Sequence, residues 1–114
     1  MEKLIFHPLD EGFYAAEVPK GLFSERMIVT FGIAKTLKLY GETEWNIFLD
    51  RFKNLPIAEA KMLRPLLSNS EICYDDKEST RIYIPHSLMN YACIAEDAVV
   101  EKTEDGCFIL RNSQ

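Results

Sequence analysis

Arg81 is the residue whose chemistry best suits a ligand, because a guanidinium group pairs with phosphate oxygens and with the guanine edge. It lies in the second of two similar stretches. Sliding the chain onto itself by 66 residues superposes matching residues: Asp10 on Asp76, Val18 on Ile84, Pro19 on Pro85 and Leu22 on Leu88. The same shift places Ala15 on Arg81. One copy of the repeat therefore carries a basic side chain where the other carries a methyl group.

Cysteine and histidine chemistry is poorly supported by the spacing of these residues. Cys73, Cys93 and Cys107 are odd in number and contain no CxxC, and His7 and His86 lie at no metal-ligand spacing. We expect reduced, buried, structural cysteines, and neither a metal nor a cofactor. No nucleophile elbow, phosphate loop or HExxH motif is present, which predicts that the protein is not an enzyme. A pair formed by His86 with Cys73 or Cys93 is the remaining enzymatic alternative.

The composition indicates one folded domain, or two small units that share a core. The chain has 114 residues, of which 47% are hydrophobic and 27% charged. It has no apolar run of the ~20 residues that span a bilayer and no signal-peptide pattern, so we expect a cytoplasmic protein without membrane contact. The net charge of −5 argues against non-specific nucleic-acid binding but leaves room for a local basic face.

The first half predicts a strand, a short helix and a hairpin. Alternation through Val18 indicates a half-buried strand, and Pro19 suits the first turn of a short helix that reaches Phe23. Residues 27–31 and 37–40 read as two strands joined by a turn.

The second half repeats this order. Ile82 and Ile84 alternate with Arg81 and Tyr83, so one pair faces a core and the other faces outwards. Pro85 opens a short helix. The pattern then predicts a strand at 98–100, a turn at 105–106 and a strand at 107–110.

A helical segment is predicted between the halves. Thr43 is the expected N-cap of a first helix. Its apolar stripe should pack on the sheets and consists of Trp45, Phe48, Leu49 and Phe52. Trp45 is expected to be a core anchor rather than a binding platform. A second helix follows from about Ile57, and Pro65 could kink it.

Two segments resemble the MraZ family. Residues 37–45 are similar to its strand followed by a helix led by tryptophan. Residues 66–76, followed by 81–85, are similar to the segment with which the second repeat of that family begins. The resemblance spans about residues 9–110. It implies an α+β fold in which two tandem AbrB-like β-α-β units form one compact β-rich domain with a helical linker. The units are 1–42 and 69–114, and the linker is 43–68.

The resemblance also implies function and site residues. MraZ proteins assemble into rings and regulate bacterial cell-wall and division genes, through an Asp-x-x-x-Arg motif in each repeat. Carried over, Arg81 becomes the main DNA contact, and Asp76 and Asp10 shape the turns. Beside this motif, Lys77 and Lys20 are candidates for positioning the DNA backbone, and the alternative for each is a plain solvated lysine. The expected partners are double-stranded DNA and further copies of the chain.

The chain departs from that motif. Each aspartate stands five residues from Ala15 or Arg81, instead of four, and the turns are acidic. Arg81 could instead be a surface arginine paired with Asp75, Asp76 or Glu78. The sequence therefore supports a second hypothesis in addition to the DNA-binding regulator. In it, the protein is a degenerate MraZ-like oligomer that has lost DNA binding and acts by protein association.

Overall fold

The computed structural model describes residues 2–77 and 79–113. Within these residues the chain forms eight strands and three helices, whose bounds follow in chain order: β1 Glu2–Pro8, β2 Phe13–Glu17, β3 Met27–Phe31, β4 Leu37–Gly41, α1 Glu42–Lys53, α2 Ile57–Ser68, β5 Glu71–Tyr74, β6 Arg81–Pro85, α3 His86–Tyr91, β7 Asp97–Lys102 and β8 Phe108–Asn112. Within the same residues, no helix is long and apolar enough to cross a bilayer.

All eight strands belong to one sheet in the order β5-β3-β4-β8-β7-β1-β2-β6, with antiparallel neighbours. The two outermost strands, β5 and β6, also lie against each other, so the sheet is nearly closed. Each of the first four strands pairs with one of the last four: β1 with β7, β2 with β6, β3 with β5 and β4 with β8. The two halves are therefore interleaved, which the sequence did not indicate. The predicted compact β-rich domain is confirmed.

The strand neighbours stay the same when β1–β4 are exchanged with β5–β8, provided that the contact between β5 and β6 is counted with the paired strands. The β3–β4 and β7–β8 hairpins even share one register, because Met27 pairs with Gly41 and Ala98 pairs with Asn112. This pattern fits a duplicated unit. The AbrB-like type of that unit and its boundaries at 1–42, 43–68 and 69–114 stay predictions.

The core fills the inside of this sheet. Its largest fully buried side chains come from both halves: Leu4, Phe6, Met27, Val29, Leu37, Leu39, Ile82, Ile84, Leu88, Met89 and Leu110. α3 closes part of it with Leu88 and Met89. α2 is tied to the sheet because the buried Thr30 hydroxyl donates a hydrogen bond of 2.8 Å to the carbonyl of Leu66.

The short helix predicted after Pro19 is not formed. Leu22 N–H donates to the Pro19 carbonyl at 3.1 Å, which makes a single turn. Gly21 has a φ of +88° there, a left-handed conformation that a right-handed helix cannot continue through. The chain instead passes into a loop that inserts Phe23 into the core.

The prediction that Thr43 caps α1 is wrong. The helix begins at Glu42 after Gly41, and the Thr43 N–H donates to Glu25 Oε1 at 2.8 Å. A carboxylate from an earlier loop therefore satisfies the helix N-terminus. A side chain on Gly41 would bring its Cβ to 2.7 Å from that carboxylate, so the Glu25 side chain would have to move away from the helix N-terminus.

Trp45 is not a core anchor. It is half-buried beside two other aromatic rings, with centroid distances of 5.2 Å to Tyr40 and 5.4 Å to Phe48. Neither α1 nor α2 has a fully buried residue. The predicted stripe of α1 does pack on the sheet, beside β4 and β3, but all four of its side chains stay partly exposed.

The cysteines follow the prediction in two positions of three. Cys73 and Cys107 are buried and reduced, and burial raises the pKa of both thiols, that of Cys107 to about 11. Cys93 is exposed, contrary to the prediction. It lies just after α3 at a φ of 56°, in a turn between the buried residues Ala92 and Ile94.

Candidate nucleic-acid interface

The candidate interface is built on the ladder between β2 and β6. Arg81 pairs with Glu17 across this ladder, and Tyr83 pairs with Ala15. Ile82 and Ile84 are fully buried, whereas Arg81 and Tyr83 are exposed. The predicted alternation is therefore confirmed, and the register turns Arg81 towards the outer face of the sheet.

The backbone at Arg81 is fixed by the residues before it. The Arg81 N–H donates to Ser79 Oγ at 3.0 Å, and that hydroxyl donates to the Arg81 carbonyl at 2.7 Å. These two hydrogen bonds lie where the β5–β6 turn ends and β6 begins. They define the direction in which the side chain leaves the sheet.

The guanidinium of Arg81 is bound by an acid that the sequence did not reveal. Its Nε donates to Glu17 Oε1 at 2.7 Å, and both side chains are more than half exposed. Hydrogen bonding and charge from Glu17, with a smaller effect of Tyr83, raise the pKa of Arg81. The predicted acidic partners were Asp75, Asp76 and Glu78. The prediction that Arg81 pairs with Asp75 or Asp76 is wrong, because Arg81 pairs with Glu17.

The cause of this correction is the strand register. Antiparallel pairing places residue 17 directly opposite residue 81, within reach of a charge pair. Asp75 lies instead near Arg26, with a distance of 3.9 Å between its Oδ2 and the Nη2 of that arginine. Glu78 lies outside the described residues.

Ala15 occupies the place on β2 that corresponds to Arg81 on β6. Each is followed by a buried residue, Ala16 and Ile82 respectively. Ala15 lies between His7 of β1 and Tyr83 of β6 and is only 5% exposed. A hollow of about 150 Å³ remains over it, lined by His7, Leu9, Ala15, Ala16, Glu17 and Arg81.

Lys20 and Lys77 lie at the same end of the ladder as Arg81. The Val18 N–H donates to the Thr80 carbonyl at 2.8 Å, so the segment after β2 runs beside the turn before β6. Both lysine side chains are exposed, and neither forms an ion pair within the described part of the chain. The topology thus gathers the three predicted basic residues in one region.

The two predicted turn aspartates lie at opposite ends of the ladder. Asp10 is in the β1–β2 turn, where the Gly12 carbonyl accepts a 2.8 Å hydrogen bond from the His86 N–H. Asp76 is in the β5–β6 turn beside Lys77. The side chain that binds the backbone of this second turn is that of Asp75, whose Oδ1 accepts from the Lys77 N–H at 3.1 Å. The turn-shaping roles of Asp10 and Asp76 stay predictions.

An apolar groove lies on the same outer face. It has a volume of about 430 Å³ and is lined by Leu9, Asp10, Glu11, Phe13 and Tyr83. Leu9 is 42% exposed and Tyr83 is 37% exposed. Sequence reasoning missed this surface because it did not recognise β1. Within the described residues, no group of three or more His, Cys, Asp or Glu side chains could hold a metal ion.

Comparison with known proteins decides the family. No family model matches the chain. A protein of Lachnoclostridium phytofermentans named transcriptional regulator MraZ is 36% identical over 77 residues, which are 66% of this chain and 54% of that protein. The chain belongs to the MraZ family. MraZ proteins of Desulforamulus reducens and Ureaplasma urealyticum are 33% and 32% identical over 79 residues, covering 67% and 68% of the chain and 55% and 54% of those proteins.

These identities make the chain a divergent MraZ member. It spans about half the length of the curated relatives that it matches. Their names describe transcriptional regulators, which agrees with the prediction of a protein that is not an enzyme.

Proposed function

We propose that this chain is a transcriptional regulator that binds double-stranded DNA through the outer face of the β2–β6 ladder. The observation that carries the proposal is the outward, exposed position of Arg81 in a chain of the MraZ family. A guanidinium at this place can donate two hydrogen bonds to a phosphate group or to guanine. Lys20 and Lys77, at the same end of the ladder, would contact neighbouring phosphates.

The local charge makes each such contact weak. Arg81, Lys77 and Lys20 share these strands and turns with the acidic residues Glu17, Asp75 and Asp76, which repel phosphate and offset the attraction of the three basic residues. We therefore propose that the protein works as a homo-oligomer in the cytoplasm, in which several copies of the face bind DNA together. The exposed apolar side chains of Ile33 in the β3–β4 turn and of Ile72 on β5 support association between copies. The proposed targets are cell-wall and division genes, and the proposed repeat unit is AbrB-like.

Titration of a duplex from the DNA upstream of the protein's own coding sequence tests this function. We expect a mobility or anisotropy shift at low salt that weakens strongly at physiological salt, because binding releases ions from phosphates. A scrambled duplex of equal length is the control for sequence preference. Sedimentation of the same sample should give a mass several times that of the 13.2 kDa chain. Absence of any salt-sensitive shift would contradict DNA binding, and a compact monomer would contradict the assembly.

A second function is favoured by a different observation on the same face. Ala15 stands where a second basic side chain could have been, and the groove beside it exposes Leu9 and Tyr83 together with two acidic lining residues. Such a surface suits a protein segment with apolar and basic side chains. Loss of DNA binding, together with retained oligomerisation, would support this degenerate MraZ-like protein over the regulator.

A further inference from the structure

Glu17 offers Arg81 the same chemistry as a DNA phosphate. Its carboxylate oxygen accepts a charge-assisted hydrogen bond of 2.7 Å from the guanidinium Nε. A phosphate oxygen needs the same donor. The guanidinium is therefore already engaged when DNA arrives.

The strands determine this pairing. Glu17 and Arg81 are directly opposite each other in the register of β2 and β6, and both strands are held by the buried residues beside them. Tyr83, two residues along β6, adds a second group beside the guanidinium. An exposed pair of this kind is weak enough to open, but the carboxylate stays near any phosphate that replaces it. Glu17 thus opposes DNA twice, by occupying the Nε–H donor of the guanidinium and by repelling the phosphate.

We infer that Glu17 sets the affinity of this face for DNA, as an internal competitor for the phosphate that Arg81 would bind. The inference rests on the proposed function. It also predicts a distinctive dependence on salt. When a phosphate displaces Glu17 from Arg81, cations leave the phosphate, but cations also gather at the carboxylate that has lost its partner. The slope of log affinity against log salt concentration, called the salt slope below, therefore gains little from Arg81 in the parent protein.

The test compares Glu17→Gln with Glu59→Gln, which removes the same charge from an exposed position on α2. The probe is a labelled duplex titrated over a series of salt concentrations. Glu17→Gln should bind about fivefold tighter or more at low salt, since one repulsive charge is removed at short range. Its plot of log affinity against log salt should be steeper than that of the parent by about 0.9. Glu59→Gln should change the affinity less than about twofold. Adding Arg81→Ala to Glu17→Gln should abolish the gain.

The outcomes separate the inference from the function. If the parent binds the duplex and Glu17→Gln behaves like Glu59→Gln, the inference is overturned and the proposed function stands. A gain that survives Arg81→Ala also overturns it, because the carboxylate would then act only through the general charge of the surface. If none of these proteins binds the duplex at low salt, both fail. Circular dichroism and thermal unfolding verify that each variant is folded.

Discussion

Ala15→Arg should raise the affinity of the protein for duplex DNA by about 10- to 100-fold at low salt, the effect of one good bidentate contact. The position lies on the outer face, in the place that corresponds to Arg81 on the neighbouring strand. Its cross-strand neighbour on β6 is Tyr83 rather than an acid. The introduced guanidinium would therefore have no acid directly opposite it, whereas Arg81 faces Glu17. The salt slope should steepen by about 0.9.

The surroundings allow this substitution. Ala15 itself is covered, but the hollow of about 150 Å³ above it leads to the surface beside His7 and Glu17. A long side chain can pass through this hollow and place its charge in water. Ala58→Arg on the exposed side of α2 is the matched control, since it adds the same charge away from the ladder. Equal gains from both variants would show that the face has no special relation to DNA.

Ile84→Ala should lower the free energy of unfolding by about 2–5 kcal/mol, the range for emptying a buried aliphatic site. Ile84 is fully buried in the centre of β6. Tyr83→Ala, one residue earlier on the same strand, should cost about 1 kcal/mol or less, because its side chain is 37% exposed on the outer face. Equilibrium unfolding in urea measures both.

This pair of variants tests the register that positions the interface. A slip of one residue would exchange the inner and outer faces of β6 and turn Arg81 towards the core. A larger loss of stability for Tyr83→Ala than for Ile84→Ala would therefore contradict both the observed fold and the exposed position of Arg81.

Several elements could be predicted because their determinants are local. Alternation along Arg81–Ile84 gives the two faces of β6, and Pro85 stands directly before α3. The turn at Asp105 and Gly106 forms as expected. Gly106 adopts a φ of +84°, and Asp105 Oδ1 accepts from the Cys107 N–H at 3.2 Å. Hydrogen bonding from Thr103 is the largest effect that lowers the pKa of Asp105, followed by the smaller effects of Cys107 N–H and Lys38.

Other features depend on contacts that are distant in the sequence. β1 was missed because its outward side carries Ile5 as well as His7, which obscures the alternation with the buried Leu4 and Phe6. The Glu17–Arg81 pair follows from the register of two strands that belong to different halves. Likewise, Glu25 caps α1 from another loop, and no spacing near Thr43 reveals it. Propensity and periodicity describe single elements, whereas these features depend on how elements meet.

The central claim is that Arg81 contacts DNA phosphate, and the affinity of Arg81→Ala for the duplex at low salt tests it most directly. The control is Arg64→Ala, which removes the same charge from an exposed position on α2. We predict that Arg81→Ala weakens binding at low salt by several-fold or more, while Arg64→Ala binds like the parent. An affinity of Arg81→Ala equal to that of the parent and of Arg64→Ala would contradict the claim.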